Sequence, residues 1–184
     1  NSTYVCCIGY LPGNRDRGNY NFFLGPLSGP QTAGHNLTGQ QNVGVGYYAL
    51  NGIQDGANYN LAVGTQAGQL ISTGNKNVLI GTQAGAALTT VDGCVMIGYT
   101  AGATETAANK LYIDNTNTSS PLIYGDFSTD SLRFNGKTTF TSKSYWSATN
   151  TAGGTTGNQT INKPSGTVNV AAGGTAITVT NSLV

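Results

Sequence analysis

Few residues in this 184-residue chain have side chains that could act as catalysts. Asp126 and Asp130 are the closest pair of carboxylates, and a glycoside hydrolase would need one of them to be a general acid with a raised pKa. They flank a short Ser-Thr turn, so we expect both to be solvated. Glu105 is the single glutamate. Asp114 opens an Asp-Asn-Thr-Asn segment that lacks the glycine and terminal glutamate of a calcium loop, so we expect an Asx turn there.

The histidine and the cysteines do not form a recognisable motif either. His35 lies in a Gly-rich segment without a neighbouring cysteine or carboxylate, which favours a solvated loop residue over a metal ligand. No G-x-S-x-G elbow accompanies it. Cys6 and Cys7 are adjacent and Cys94 is remote, so the spacing indicates neither a CxxC motif nor a disulfide framework. We expect all three cysteines to be small, buried, apolar residues. The sequence therefore predicts no catalytic residue, no metal site and no cofactor.

Composition favours a packed β structure. Only 8% of the residues are charged and the net charge is +1, so an electrostatic footprint for nucleic acid or anionic lipid is missing. The sequence contains no apolar stretch of 18 residues, so it predicts no membrane-spanning segment. With 27 Gly and 38% hydrophobic residues, both long helices and disorder are disfavoured. The chain starts at Asn1 without a leader pattern, and we expect a processed or truncated product.

A repeat fills the first hundred residues. Its most regular copies are Asn60–Gly68 and Asn77–Gly85, which are nearly identical. Each copy is anchored by a glycine that follows three apolar residues, and successive anchors are 16, 21, 18, 17 and 17 residues apart. The spacing of 21 marks an insertion near His35. We call these the anchor glycines: Gly9, Gly25, Gly46, Gly64, Gly81 and Gly98.

The three residues before each anchor predict a short strand that is apolar on both faces. The first and third positions, such as Val78 and Ile80, share one face because side chains alternate along a strand. The middle position, such as Leu79, is uncharged as well. One face can line the interior of a coil, and the other needs a partner. Each anchor should end its strand at a turn or close approach that tolerates no Cβ.

Other columns support a coil of stacked turns. An asparagine recurs four residues before the anchor and can form an amide ladder or cap a turn. A small residue three positions after the anchor fits a tight inner corner, and glycines such as Gly68 open the next bend. Thr65 and Thr82 occupy the same position of successive copies, as the threonine rows of ice-binding solenoids do. Tyrosine or proline replaces threonine in the other copies, so the row is broken and ice binding is disfavoured. A single 17-residue turn cannot form a core, so the turns must stack into a β-solenoid. The asparagines are Asn21, Asn42, Asn60 and Asn77, and the small residues are Ala49, Ala67, Ala84 and Ala101.

The repeat resembles those in the heads of trimeric autotransporter adhesins, in phage tail fibres and in related bacterial surface proteins. The segments Asn109–Asn115, Pro121–Phe127 and Ser131–Gly136 are similar to the module that follows such repeats. The resemblance implies an intertwined, parallel homotrimer, which would bury the second apolar face of each strand. Many such fibres continue into an intramolecular chaperone peptidase, whose Ser–Lys region has no counterpart in this sequence.

We therefore predict an all-β chain, a trimeric β-solenoid (β-roll) of about 17-residue turns followed by small β modules. Residues 1–108 form the solenoid, 109–136 a connector of three short strands, and 137–184 a sandwich-like module that continues beyond the chain's end. Trp146 in that module is either a core anchor or an exposed platform for a sugar ring.

The function these patterns favour is a structural or adhesive fibre without enzymatic activity. The first interpretation is a virion component that projects from a tail or capsid and contacts the host surface. A bacterial surface adhesin or an extracellular filament subunit is the alternative. Predicted partners are two identical chains, other virion or surface proteins, and a host glycan or receptor. Recognition is expected in the loops Asn51–Asn58 and Pro30–Gln40, and at Tyr47, Tyr48 and Trp146.

Overall fold

A computed structural model describes residues 5–12, 20–31 and 39–137, and within these ranges no residue is helical. Internal contacts separate a unit Asn1–Thr139 from a unit Phe140–Val184, and the second unit lies outside the described residues. The described residues of the first unit form nine strands, named here in chain order. They are β1 (Cys6–Ile8), β2 (Phe22–Leu24), β3 (Val43–Val45), β4 (Leu61–Val63), β5 (Val78–Ile80), β6 (Val95–Ile97), β7 (Lys110–Ile113), β8 (Ile123–Asp126) and β9 (Ser131–Phe134).

The strands form one sheet in sequence order, with one rung for each turn of the coil. From β1 to β7 all pairs are parallel, and each strand pairs with the same column positions of the next, as Val78 with Val95 and Ile80 with Ile97. The pairs β7–β8 and β8–β9 are antiparallel. The predicted β-solenoid is confirmed, with about six turns spaced ~17 residues apart, and the three strands predicted after it are present.

The middle residue of each strand points into the coil. Phe23, Ala62, Leu79 and Met96 are completely buried. Residues from the far side of each turn close the same core: Leu50, Ile53, Ile71 and Leu88. The core thus stacks along the coil, and removing one turn would expose the interior of its neighbours.

The anchor glycines stack on one another with no room for a side chain. Their φ angles lie between +121° and +135°, a region in which L-residues are strained. A Cβ on Gly46 would lie 2.7 Å from the carbonyl oxygen of Gly64, and one on Gly64 would lie 2.5 Å from that of Gly81. The strand therefore ends where the backbones of adjacent turns approach most closely.

The bend after each anchor uses left-handed backbone as well. Gly68, Gly85 and Gly102 have φ angles of +55° to +57°, as expected for residues that open a bend. The alanines at the predicted inner corners are completely buried. Thr100 has a φ of +53°, which is costly for a β-branched residue. Residues in the same position of the other turns share this conformation: Leu11, Leu27, Tyr48, Gln66 and Gln83.

The recurring asparagines form a buried amide ladder. The side-chain oxygen of Asn42 accepts hydrogen bonds from the backbone N–H of Asn60, at 3.1 Å, and from its side-chain amide, at 3.1 Å. Asn60 accepts the same two bonds from Asn77. The ladder begins at Asn21 and ends at Cys94, whose backbone N–H donates to Asn77 at 2.9 Å. Each rung thereby satisfies polar groups that would be costly to bury unpaired.

A second, more exposed ladder runs two residues earlier in each turn and in the opposite direction. Asn58 donates its backbone N–H to the side-chain oxygen of Asn75, at 2.9 Å, and Asn75 donates likewise to Asp92, at 2.6 Å. In the first ladder each oxygen faces the following turn, whereas here it faces the preceding one. The amide dipoles of the two ladders therefore oppose each other.

Gly64→Ala should lower the free energy of unfolding by about 2 kcal/mol or more, because the new Cβ collides with the Gly81 carbonyl at a strained φ. Gly56→Ala is the matched control, since Gly56 also has a positive φ, +85°, but no atom lies within 4 Å of the added Cβ. It should cost only about 1 kcal/mol of backbone strain. Thermal unfolding measures both, and equal losses would refute the proposed backbone collision.

Candidate functional site

The largest candidate functional surface is the side of the sheet that points away from the coil. We call it the outward face, formed by the first and third residues of each three-residue strand and their counterparts in β7. Val63 is 36% exposed and Ile80 is 38% exposed. The homotrimer that the resemblance implies predicts burial of Val63, Ile80 and Ile97, and in the single chain the first two are still partly exposed.

The outward face is apolar at every rung. Its two columns carry no charged residue and no side-chain amide or hydroxyl group. At a strand spacing of about 4.8 Å, seven parallel rungs make a stripe roughly 30 Å long. Contiguous exposed apolar patches of this kind mark interaction sites in soluble proteins. The first column contains Cys6, Phe22, Val43, Leu61, Val78, Val95 and Leu111, and the second contains Ile8, Leu24, Val45, Val63, Ile80, Ile97 and Ile113.

Exposed tyrosines flank the outward face on both sides. One column lies directly after the anchor glycines, and the other lies directly before the asparagine ladder. Tyrosine suits such a border, because its ring offers apolar contact and its hydroxyl stays hydrated. The first column includes Tyr10, Tyr47 and Tyr99, and the second includes Tyr20 and Tyr59, all of them exposed.

Of the residues predicted to bind a glycan, the structure brings Tyr47 and Tyr48 together. Their rings meet edge to face, with centroids 4.4 Å apart and planes at 86°. Tyr47 is 46% exposed, and Tyr48 is partly buried with a φ of +58°. Desolvation, followed by the contact with Tyr48, raises the pKa of Tyr47. The pair presents one accessible ring braced by a second. Trp146 and His35 lie outside the described residues.

The expectation that all three cysteines are buried was wrong for two of them. Cys94 is buried, whereas Cys6 and Cys7 are exposed. Both exposed cysteines belong to β1, which pairs with β2 on one edge only. Among the described residues, no preceding turn covers that strand, so a position that is interior elsewhere in the coil is open at this end.

Of the two carboxylates considered for hydrolysis, Asp126 is engaged in local contacts. Asp126 forms an ion pair with Lys110 at 2.5 Å and accepts hydrogen bonds from Ser128. The Lys110 and Ser128 contacts lower the pKa of Asp126 to about 2. A general acid needs a shift in the other direction. Asp130 is exposed in the turn between β8 and β9.

Asp114 forms the predicted Asx turn. One of its oxygens accepts the N–H of Thr116 at 2.9 Å, and the other accepts the N–H of Leu122 at 2.7 Å. Hydrogen bonds from Thr116 and Leu122 lower the pKa of Asp114. Its carboxylate thus fastens the long loop between β7 and β8.

A depression of about 190 Å³ lies at the end of the coil, and the sequence did not predict it. Glu105 accepts hydrogen bonds from the N–H groups of Thr106 and Ala107, each at 2.8 Å, and from the Tyr112 hydroxyl at 2.7 Å. Tyr112 takes the middle strand position, in register with Met96. The only sequence signal was a phenol in an otherwise hydroxyl-free interior column, since a buried hydroxyl needs a partner. The lining residues are Gly102, Thr104, Glu105, Tyr112, Asn117, Thr118 and Ser119.

This contact joins the end of the asparagine ladder to the end of the coil. Cys94, the last rung, approaches the carbonyl oxygen of Ala107 with its sulfur at 3.3 Å, and the N–H of Ala107 donates to Glu105. Desolvation opposes ionisation of Glu105, but the bonds from Tyr112 and the two N–H groups outweigh it, so its pKa is lowered. Burial and the same contact raise the pKa of Tyr112. The carboxylate acts as a structural acceptor.

Over the described ranges, no group of three or more His, Cys, Asp or Glu side chains is arranged to hold a metal ion. Within the same ranges, no helix has the length and apolar character to cross a bilayer. Comparison of the chain with protein-family models, with curated proteins and with solved structures finds no significant match. The outward face and its flanking tyrosines are the candidate functional features of the described residues.

The Glu105 contact predicts acid sensitivity of the coil's end. The pKa of Glu105 in the folded protein lies below its ordinary value of 4.5. The contribution of this carboxylate to the free energy of unfolding is therefore complete above pH 4.5 and is lost as the pH falls through the folded pKa. The melting temperature should drop between about pH 5 and pH 3. Glu105→Gln should melt lower at pH 6 and lose less on acidification. Asp114 and Asp126 leave a residual slope, since their pKa values are also lowered. An unchanged slope in the variant would contradict this role.

Proposed function

We propose that this chain is a structural and adhesive fibre subunit, whose solenoid associates with two identical copies through the outward face. The observation that carries the proposal is the uninterrupted apolar stripe, which is more than one-third exposed at Val63 and Ile80. An isolated chain would present this stripe to water at a continuous cost in hydrophobic free energy. Two further copies remove that cost without needing any other protein.

Self-association suits this surface better than a charged or polar partner does. The stripe offers no ion pair or hydrogen-bonding side chain that could select a different protein, and from β3 to β7 its columns repeat Val, Leu and Ile at each rung. Identical stripes placed side by side match rung for rung. A threefold arrangement is the one that the resemblance to adhesin and tail-fibre repeats implies.

The cellular role we propose is projection from a virion, as part of a tail or capsid appendage that contacts the host surface. A stacked coil of low charge, with local contacts from turn to turn, is suited to spacing a tip from a base. A bacterial surface adhesin or extracellular filament is the alternative, because the same architecture serves both. Contact with other virion or surface proteins is part of either role.

Host contact is assigned to exposed aromatic rings beside the outward face. Tyr47, braced by Tyr48, is the best placed of the described residues for stacking on a glycan ring. Trp146 remains a candidate on sequence grounds. The loop Asn51–Asn58 is a less open surface than we predicted, because Ile53 and Ala57 within it belong to the core.

Ile80→Asp tests the association. The native chain, at 18.9 kDa, should scatter light as a trimer of about three times that mass. The variant should lose several kcal/mol per chain, because an unpaired carboxylate would be buried between copies, and should dissociate or lose protease resistance. Leu70→Asp is the matched control, since Leu70 is apolar and exposed but lies off the outward face. A folded native monomer would overturn the proposal, as would a variant that remains a resistant trimer.

A second measurement separates adhesion from hydrolysis. Incubation with capsular or cell-surface polysaccharide should release no product, whereas Tyr47→Ala should weaken retention on the same glycan by removing the exposed ring. Tyr47→Phe is the control that keeps the ring. Turnover that disappears in Asp126→Asn or Asp130→Asn would instead support a polysaccharide-depolymerising spike.

A further inference from the structure

The last two strands extend the sheet beyond the coil. β7 still pairs in parallel with β6, but β8 and β9 turn back and pair antiparallel. All four residues of β9 are exposed, and β9 has a single neighbour among the described strands. A two-stranded ribbon is marginally stable unless one face packs against something. β8 and β9 therefore need cover on one side.

Side-chain alternation shows which side is apolar. Leu111 of β7 pairs with Gly125 of β8, which pairs with Leu132 of β9, so these positions share the outward face. A Cβ placed on Gly125 would meet the Leu111 side chain at 3.0 Å, consistent with that shared side. Ile113, Ile123 and Phe134 form the neighbouring row. The two apolar columns of the solenoid therefore continue without interruption to the last strand.

The opposite side of the ribbon is polar and already occupied. Tyr112 and Tyr124 meet edge to face with ring centroids 5.4 Å apart. The Arg133 guanidinium lies over the Tyr124 ring, 4.8 Å from its centroid. A cation over the last ring closes the interior column with a hydrated group, as the terminal unit of a solenoid requires. Water can thus cover this side, whereas the other side carries only hydrocarbon.

Exposure on the outward face is high at this end. Leu132 is 58% exposed and Phe134 is 52% exposed, and Phe127, at the turn, is similarly uncovered. These side chains are more exposed than Val63 or Ile80 within the coil. If they remained in water, this end of the sheet would carry a larger hydrophobic cost than the middle of the coil.

We infer that β8 and β9 are part of the subunit interface, and that Leu132 and Phe134 of one copy pack against the same ribbon of a second copy. The inference rests on the proposed homotrimer, and it extends that interface past the point where the strands change direction. It assigns the antiparallel ribbon to association between copies, leaving its Arg133 side to solvent.

Two observations favour a second copy as the occupant. The apolar columns of the ribbon are continuous with those of the coil, so copies aligned rung for rung along the coil necessarily bring their ribbons together. Nine strands at about 4.8 Å give a stripe roughly 40 Å long, against roughly 30 Å for the seven parallel strands alone. The longer stripe brings the contact closer to the ~800 Å² per partner of a stable interface.

Cysteine cross-linking tests this pairing in the full chain. The background is Cys6→Ala with Cys7→Ala, which removes the two exposed thiols, keeps the outward face apolar and leaves Cys94 buried. Leu132→Cys and, separately, Phe134→Cys are treated with a short bismaleimide. Both should give a strong cross-linked dimer band on a denaturing gel, with a residual monomer band because the reagent can join only two of the three thiols in a trimer. Arg133→Cys, on the opposite side of the same strand, should give no dimer band.

Three other outcomes would contradict the inference. If the background protein is trimeric by light scattering but position 132 reacts rapidly with a monofunctional maleimide and does not cross-link, the ribbon is a free surface. If position 132 is protected yet not cross-linked, another segment, such as residues 138–184, covers it. Either result overturns the inference and leaves the proposed trimer intact. A monomeric background protein overturns both.

Discussion

The fold depends on the backbone contact between consecutive anchor glycines. Each strand ends at a glycine whose missing Cβ lets the next turn approach, as Gly64 approaches Gly81. That approach sets a common height for every rung, so strands, asparagines and core residues all fall into register. A side chain at this point would force adjacent turns apart and break the hydrogen bonds on both sides of it. The interior packing and both amide ladders follow from this spacing.

Register in turn separates the two faces of the sheet. The interior column varies in size, with Phe23 filling the space above Gly44, because residues from the far side of each turn adjust to it. The outward face is aliphatic from β3 to β7 instead, and its side chains there remain partly exposed in the part of the chain that the structure describes. A surface that repeats one kind of side chain is complementary to itself. The proposed homotrimer uses that property.

The end of the coil shows how a stack of repeats stops. Cys94 replaces the asparagine of the ladder, and its thiol donates to the Ala107 carbonyl instead of continuing the ladder. Glu105 and Tyr112 hold the following loop. Arg133 then covers the last aromatic ring. The interior thus ends in polar groups, whereas the outward face remains apolar to β9. We regard this difference between the two sides as the main sign that the ends of neighbouring copies belong together.

The sequence by itself determined the period, the strand positions, the glycine anchors and the asparagine ladder, because each of these repeats every turn. It did not decide which strand face lines the interior, since both faces are apolar; only the closed turn places Leu79 inside and Ile80 outside. Nor did it identify the Glu105–Tyr112 contact, which joins residues that occur once. The exposure of Cys6 and Cys7 likewise depends on which turn lies beside β1. Repetition is visible in a sequence, but contacts that occur once depend on tertiary packing.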